Sequence, residues 1–285
     1  MGSCFALEIR IKLRSLGYDV YPKYLDLPFD SRTQSPGRLP ERDNINHYDT
    51  FVMRQEIERA IEGRRWSVSD FWTLMRPRIA NRKGWERACQ DPYRRQIFAA
   101  DMERLADASD KIGRCIDEGL AAADVIILTL GLTECWRNHA NGLFVCTGPI
   151  DKYDEIMPLV EFHPSTFAEN YANLNAMLDR IRAAFPLKRI VLTVSPVPLA
   201  RTWTGEDVVV ANLNSKSTLR AVAGQVCRER PNVVYWPSFE YGMKGDVFKE
   251  DGRHVQIDVV DRIVTAFLET HRADLGAVPR HRSSA

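Results

Sequence analysis

The sequence predicts an α/β fold in which a central parallel sheet lies between layers of helices. Three short segments are near-continuous apolar runs, as expected of strands covered on both faces: 124–130, 189–194 and 233–236. Each run is followed by a segment that is predicted to be helical: 166–185, 215–229 and 255–271. Such an alternation implies right-handed crossovers and parallel strands, with ligands expected at the carboxyl ends of the strands.

The first part of the chain is predicted to form two helices joined by a loop. A helix is expected over about 4–16, because apolar residues are interspersed with charged ones and Gly17 stands at the stop position. The prolines of 22–43 indicate a loop. A second helix is expected over about 51–62, with Thr50 as its N-cap.

Between the second helix and the first strand lies a segment that is rich in arginine and aromatic residues. Its first part, 64–95, is the densest, and a long helical stretch is predicted from about 93 to 122. We therefore expect a single domain over 1–275, with a helical, Arg- and Trp-rich insertion at about 64–122. The polar segment 276–285 is expected to be a flexible tail.

The composition narrows the function classes. The chain has 285 residues, of which 39 are basic and 38 acidic, so its net charge of +1 favours neither nucleic acid nor an anionic membrane. Hydrophobic residues make up 45% and charged residues 27%, with no apolar run long enough to span a membrane. Neither a secretory signal nor a Cys-x-x-Cys pair is visible, so we expect a reducing, cytoplasmic environment and no metal or other cofactor. The oligomeric state is not indicated.

Three motifs carry residues suited to chemistry. Ser3 lies in a tight turn before a helix, where its hydroxyl is near unpaired backbone N–H groups that can stabilise an oxyanion. Asp251 and His254 are three residues apart in a turn, so the carboxylate can hold one imidazole nitrogen and leave the other free as a base. Gly131 follows the most apolar strand, where a glycine lets the backbone approach a ligand closely.

Each motif taken alone also fits a purely structural role. Ser3 can be an ordinary helix N-cap, Asp251 can cap a surface turn, and Gly131 can be a simple turn glycine. In a parallel sheet, however, all three positions are expected at the same edge. Their joint placement favours a functional site.

The opening motif also carries a resemblance to a known family. Gly2-Ser3-Cys4-Phe5-Ala6 matches letter for letter the motif that names the GSCFA family, which resembles a branch of the SGNH/GDSL hydrolases. Further blocks that resemble the family are 46–51, 129–136, 192–197, 235–240 and 251–254. The resemblance implies a three-layer α/β/α, flavodoxin-like fold of the SGNH-hydrolase type. It also implies Ser3 as the nucleophile, His254 as the general base and Asp251 as its orienting partner.

The resemblance is incomplete at the oxyanion-binding block. In the wider superfamily the oxyanion is held by the serine N–H, a glycine N–H and the Asn side chain of a Gly-x-Asn-Asp block. This sequence has Gly131-Leu132-Thr133-Glu134 there, so Thr133 stands in place of Asn, and Asn46 or His47 is an alternative donor. The expected oxyanion- or substrate-binding residues are Cys4, Asn46, His47, Gly131, Thr133 and Glu134.

A second departure concerns the first strand. Superfamily members have a β-strand before the nucleophile, whereas only Met1 precedes Gly2 in this sequence. The first strand of the sheet is therefore expected to be missing or truncated, and we expect the natural protein to begin upstream of Met1. Mass spectrometry of the native N-terminus tests this expectation.

Together these observations predict a serine esterase or O-acyltransferase that acts on a small-molecule or glycan acyl ester. Two alternatives remain open. The fold can serve as a non-catalytic module whose Arg- and Trp-rich stretch 64–95 binds an anionic glycan or nucleic acid. Gly2 with Cys4 also resembles a myristoyl-plus-palmitoyl signal, although Ala6 stands where Ser or Thr is required.

Overall fold

The computed structural model describes residues 1–23, 27, 45–77, 85–95, 97–245 and 247–270. Its helices are α1 (Cys4–Ser15), α2 (Thr50–Ile61), α3 (Met102–Ala122), α4 (Phe167–Ala184), α5 (Val208–Glu229), α6 (Ser238–Gly242) and α7 (Ile257–Thr270). Its strands are β1 (Trp72–Pro77), β2 (Trp85–Gln90), β3 (Phe98–Ala99), β4 (Val125–Leu130), β5 (Glu134–Asn138), β6 (Phe144–Val145), β7 (Val160–Pro164), β8 (Arg189–Val194) and β9 (Val233–Trp236). None of the helices in these ranges is both long and apolar enough to cross a bilayer.

A three-stranded parallel sheet forms the centre of the fold, in the order β4-β8-β9. Val125 pairs with Arg189 and Ile190 with Val233, so the three strands start in register. These strands are the apolar runs that the sequence singles out, and each lies within two residues of its predicted bounds. The predicted parallel sheet is confirmed.

Helices cover both faces of this sheet. On one face, α2, α4 and α5 pack against alternate strand residues such as Ile126 and Leu192. On the other face, α1 and α7 pack against Val191 and Trp236. Because successive strand residues point to opposite faces, the apolar residues of each run are buried or half-buried on both faces. The α/β/α class predicted from the sequence is therefore correct.

The N-terminal residues run alongside β4. The Met1 amino group donates to the Ile127 carbonyl at 2.8 Å, and Thr129 N–H donates to the Met1 carbonyl at 2.9 Å. Gly2 forms a single parallel bridge with Thr129. The position expected for the first strand is therefore occupied at one end by the residues that lead into α1. The expectation of a further segment upstream stays a prediction.

The predicted helical insertion at 64–122 is wrong in its first part. Residues 72–99 contain the antiparallel sheet β1-β2-β3, and only α3 is the long helix that the sequence predicts. The alternation in β1 explains the strand, because Trp72 and Leu74 are buried whereas Thr73 between them is exposed. A second antiparallel sheet, in the order β6-β5-β7, also was not foreseen. The predicted tail at 276–285 lies outside the described residues.

Two helix starts differ from the predictions because of their caps. The second helix begins one residue earlier, since the Asp49 carboxylate accepts hydrogen bonds from the N–H groups of Phe51 and Val52. The helix predicted from 215 begins at Val208, where Asp207 is the cap. In α4, the predicted capping box of Thr166 and Glu169 is confirmed.

Candidate active site

A cavity of about 430 Å³ opens at the carboxyl ends of the parallel strands. Gly131 and Leu132, just after β4, line one side, and Ser195, just after β8, lines another. Ser3 and Cys4 at the start of α1 complete this edge. The cavity lies where a parallel sheet is expected to bind its ligand.

The turn that presents Ser3 depends on a glycine. Gly2 has φ of 141°, and a Cβ at this position would lie 2.3 Å from the Thr129 carbonyl oxygen, so no larger residue fits. The Ser3 N–H donates to that same oxygen at 3.1 Å, and the Gly2 carbonyl accepts from His47 N–H at 2.9 Å. The backbone before the serine is therefore fixed on both sides.

Ser3 is buried and caps α1. Its Oγ accepts a hydrogen bond from the Phe5 N–H at 3.3 Å. Ser3 therefore has the role of a helix N-cap, which the sequence also allows. The next N–H, that of Cys4, stands at the first helical position and has no acceptor from a preceding turn. Ser3 and Cys4 both line the cavity, so the positive end of the helix dipole lies at this wall.

Asp251 and His254 form the pair that the sequence predicts. The Asp251 Oδ2 atom lies 2.5 Å from His254 Nδ1, and Oδ1 accepts from the N–H groups of Arg253 and His254 at 2.9 Å each. The pKa of Asp251 lies below its ordinary value. The largest cause is the hydrogen bond with His254, and the two backbone hydrogen bonds lower it further. This arrangement fixes the imidazole through Nδ1, and no residue of the described ranges forms a hydrogen bond with Nε2.

The pair lies at the edge of the cavity. Arg253 lines the cavity together with Ser3, whereas His254 is 44% exposed. Among the described residues, no hydrogen bond joins His254 to Ser3. The structure thus brings Asp251 and His254 together, and of the turn 251–254 it is Arg253 that lines the cavity.

The segment after β4 presses closely on the serine. A Cβ at Gly131 would lie 3.3 Å from the Ser3 Cβ and 2.6 Å from the Tyr48 carbonyl oxygen. That carbonyl accepts from the N–H groups of both Gly131 and Leu132, at 2.9 and 3.1 Å. The Gly131 N–H is therefore already engaged, so its place in the site is one of close packing.

The other residues of this block serve to hold neighbouring segments. Thr133 is not part of the described cavity wall, and its N–H donates to the Ser215 hydroxyl at 2.9 Å. Glu134 does line the cavity, and its carboxylate accepts from the Thr202 hydroxyl at 2.6 Å and the Trp203 N–H at 2.9 Å. Glu134 therefore fixes the loop that forms one side of the cavity.

Asn46 and His47, the alternative oxyanion donors, lie away from this cavity wall. The Asn46 amide donates to the Tyr48 hydroxyl at 3.1 Å. His47 lines a different cavity of about 100 Å³ beside Met1, and its Nε2 lies 3.6 Å from the Glu56 carboxylate. Burial lowers the pKa of His47. In the described part of the chain, no hydrogen bond joins either side chain to Ser3.

Lys216 is a site residue that the sequence analysis missed. It lies on α5, is almost fully buried, and lines the cavity. Its Nζ donates to the Gly131 carbonyl at 2.5 Å. The preceding residue, Ser215, accepts from the Thr133 N–H, so two neighbouring residues of α5 hold the segment after β4. Burial lowers the pKa of Lys216 to about 7. Lys216 lies three residues before Leu219, on the buried face of α5. This helical spacing is the sequence signal that marks Lys216 as buried.

Asp49 is a second residue that the sequence analysis did not single out. Its carboxylate is buried, lines the cavity and caps α2 at 3.0 Å from each of two N–H groups. Burial raises the pKa of Asp49 to about 7, against the lowering effect of those hydrogen bonds. Within the described ranges, no cluster of three or more His, Cys, Asp or Glu side chains is placed to hold a metal ion.

Comparison with known proteins identifies the family. The model of the GSCFA family matches residues 1–267. No curated protein matches the chain significantly.

Solved structures give weaker likenesses. A family 3 carbohydrate esterase from Clostridium thermocellum is 13% identical, with a TM-score of 0.31 over 58% of this chain and 65% of that one. A carbohydrate esterase family 3 structure from Talaromyces cellulolyticus is 14% identical, with a TM-score of 0.30 over 55% of this chain and 61% of that one. The chain therefore matches less than two thirds of the length of these structures.

Proposed function

Because the chain belongs to the GSCFA family, and its motif serine stands in a cavity at the strand ends, we propose that it is a serine esterase or O-acyltransferase. The observation that carries the proposal is the setting of Ser3. It lies at the N-cap of α1 and lines the cavity, next to the backbone N–H of Cys4 at the first helical position. A hydroxyl with an N–H donor at its side is the minimum that acyl transfer requires.

In the proposed mechanism Ser3 Oγ attacks the acyl carbonyl carbon. His254 Nε2 takes the serine proton, and Asp251 holds Nδ1 and stabilises the imidazolium. The Cys4 N–H and the N-terminus of α1 stabilise the oxyanion. The imidazolium returns its proton to the leaving alcohol, and water or a second hydroxyl then removes the acyl group from Ser3.

The mechanism requires His254 Nε2 to reach Ser3 Oγ, so the turn 251–254 must move toward the cavity. Arg253, the residue before His254, already lines the cavity. Catalytic hydrogen bonds of this kind commonly tighten only when substrate binds. The positive φ of Gly252, 66°, gives the turn the backbone conformation that brings Asp251 back onto His254.

A carbohydrate ester is the substrate class that we favour. Trp136 and Trp203 line the cavity, with their rings packed edge to face at 5.3 Å between centroids. Aromatic side chains present large flat apolar surfaces with few rotatable bonds, which suits the apolar face of a sugar ring.

Labelling with a fluorophosphonate tests the nucleophile directly. We expect the wild type to be labelled at Ser3, and Ser3→Ala to abolish labelling and lower ester turnover by about 10⁴-fold or more. Ser195→Ala is the matched control, since Ser195 is also buried, lines the same cavity and accepts a backbone N–H, from Val197. Labelling that persists in Ser3→Ala, or turnover that is unchanged, contradicts the proposal.

A non-catalytic binding module remains the second candidate. It is favoured by the N-cap contact that already occupies Ser3 Oγ and by the exposure of His254. Such a module binds glycan but does not react with the fluorophosphonate. The labelling experiment therefore separates the two candidates.

A further inference from the structure

The cavity carries more positive charge than its own carboxylates can balance. Four cationic side chains line it: Arg95, Arg201, Lys216 and Arg253. Among the described residues, none of the four has a carboxylate oxygen within 4.0 Å. Of the four, Lys216 is buried and Arg253 is half-buried, whereas Arg95 and Arg201 are exposed. Among the described residues, the fully buried Arg59 and Arg94 are both paired with Glu56.

The carboxylates of the described cavity wall are committed elsewhere. Asp49 accepts two backbone N–H groups as the cap of α2, and burial raises its pKa to about 7, so it is largely neutral below that pH. Glu134 accepts from Thr202 and Trp203. Neither contacts a cation of the wall. Three arginines therefore stand against Glu134 and a partly neutral Asp49, so the wall is net positive near neutral pH even where Lys216, with its pKa of about 7, is neutral.

Three of the cations converge on the residue next to the nucleophile. Lys216, Arg253 and Arg95 each act electrostatically on the thiol of Cys4 and lower its pKa, although burial raises that pKa overall. Charges act in this way only over short distances in a screened medium. All three cations also line the same cavity as Ser3 and Cys4.

Arg95 and Arg253 also have N–H groups that can donate hydrogen bonds to a ligand. Arg253 Nε is buried and has no acceptor among the described residues. Arg95 donates to the neutral Tyr48 hydroxyl and lies 5.3 Å from the centre of the Tyr48 ring. A buried N–H donor without an acceptor costs free energy, so a ligand that supplies oxygen atoms is favoured there. Guanidinium groups bind carboxylate and phosphate oxygens with two parallel hydrogen bonds.

We propose that the substrate is an acyl ester that carries an oxyanion group, a carboxylate or a phosphate, which Arg95 and Arg253 bind beside Ser3. The inference rests on the proposed function, because it names the substrate of that same site. A uronic acid ester and a sugar phosphate ester both have the required chemistry. A neutral ester has no oxyanion for Arg95 and Arg253 to bind, so we expect it to bind more weakly.

Binding to Ser3→Ala tests the inference without turnover. The ligands are three O-acetylated methyl glycosides: a glucoside, a glucuronide and a glucoside 6-phosphate. We expect the glucuronide or the phosphate to bind at least about tenfold tighter than the glucoside, by calorimetry at low salt, and the preference to fall as salt is added. The stronger of the two anionic ligands identifies the oxyanion.

Substitutions on the same background then assign the preference to residues. Arg95→Gln and Arg253→Gln should each reduce the anionic preference at least about threefold, and Arg253→Lys should retain part of it because the charge is kept. Arg182→Gln, at an exposed position of α4, is the control and should leave the preference unchanged. Circular dichroism and thermal unfolding establish that each variant is folded.

Two outcomes overturn the inference: equal binding of all three glycosides, or a preference that both glutamine variants retain. Neither outcome bears on the nucleophile, because fluorophosphonate labelling of Ser3 is measured separately. Conversely, an anionic preference in a protein whose Ser3 is not labelled supports the anion site and rejects the esterase proposal.

Discussion

Lys216 holds an amine at a position where burial disfavours its charge. Burial lowers the pKa from 10.5 to about 7, and a single carbonyl, that of Gly131, accepts its hydrogen bond. Between these two pH values the unfolded chain binds more protons than the folded one. The free energy of unfolding therefore rises with pH across that window, by up to about 1.4 kcal/mol per pH unit from this one residue.

Replacing Lys216 with methionine should remove that pH dependence. We expect the stability of Lys216→Met relative to wild type to be greatest at pH 7 and to shrink toward pH 9, because only the wild type gains stability as the amine becomes neutral. Urea denaturation at pH 7, 8 and 9 measures the difference. Lys111→Met, at a site that forms an exposed pair with Asp107, is the control and should give a constant difference. A constant difference for Lys216→Met would show that the amine does not titrate in this range.

The sequence predicted the site residues that belong to short local motifs. Asp251 and His254 meet because the turn between them is only two residues long. Lys216 was missed because its role depends on which face of α5 meets the segment after β4, and that follows only from the three-dimensional packing. The place of Thr133 also depends on packing, since it is not part of the described cavity wall and Ser215 on α5 accepts from its backbone N–H.

At the scale of elements, the start of α2 depends on Asp49. Its carboxylate accepts the N–H groups of Phe51 and Val52, and alanine cannot replace either hydrogen bond. We expect Asp49→Ala to lower the free energy of unfolding by about 1 kcal/mol, and Asp49→Asn to lower it less, because the amide oxygen still caps the helix. Urea denaturation of both variants at one pH measures this. Equal losses in the two variants would mean that capping is not the main role of Asp49.

The strands that the sequence predicted correctly are those in which consecutive residues are apolar. Strands β4 and β8 are apolar on both faces because helices cover both, so each appears as a continuous run. The strands of the two antiparallel sheets depend instead on partners. Trp72 pairs with Gln90, and Glu134 pairs with Pro164, across gaps that no local pattern records.

At the scale of the whole molecule, a buried ionic network ties the helical layer of α2 to the insertion. Glu56 on α2 accepts from Arg59 Nε at 2.8 Å and from Arg94 Nη2 at 2.8 Å. Arg59 continues to Asp117 on α3 at 2.7 Å, and Arg94 donates to Ser109 on the same helix. Glu56 thus pairs with two arginines that are far apart in sequence, and through them it connects α2 to α3.

Removing Glu56 should therefore destabilise the molecule far more than removing a surface carboxylate. Glu56→Ala leaves two buried guanidinium groups without their shared acceptor, and we expect a loss of about 3–5 kcal/mol in the free energy of unfolding. Glu58→Ala, two residues along α2, breaks only the half-exposed pair with Arg54 and should cost less than about 1 kcal/mol. Denaturation in urea at pH 7 measures both variants. If the two losses are equal, the network does not hold the insertion to the core, and the packing of α3 against α2 must do so through apolar contacts.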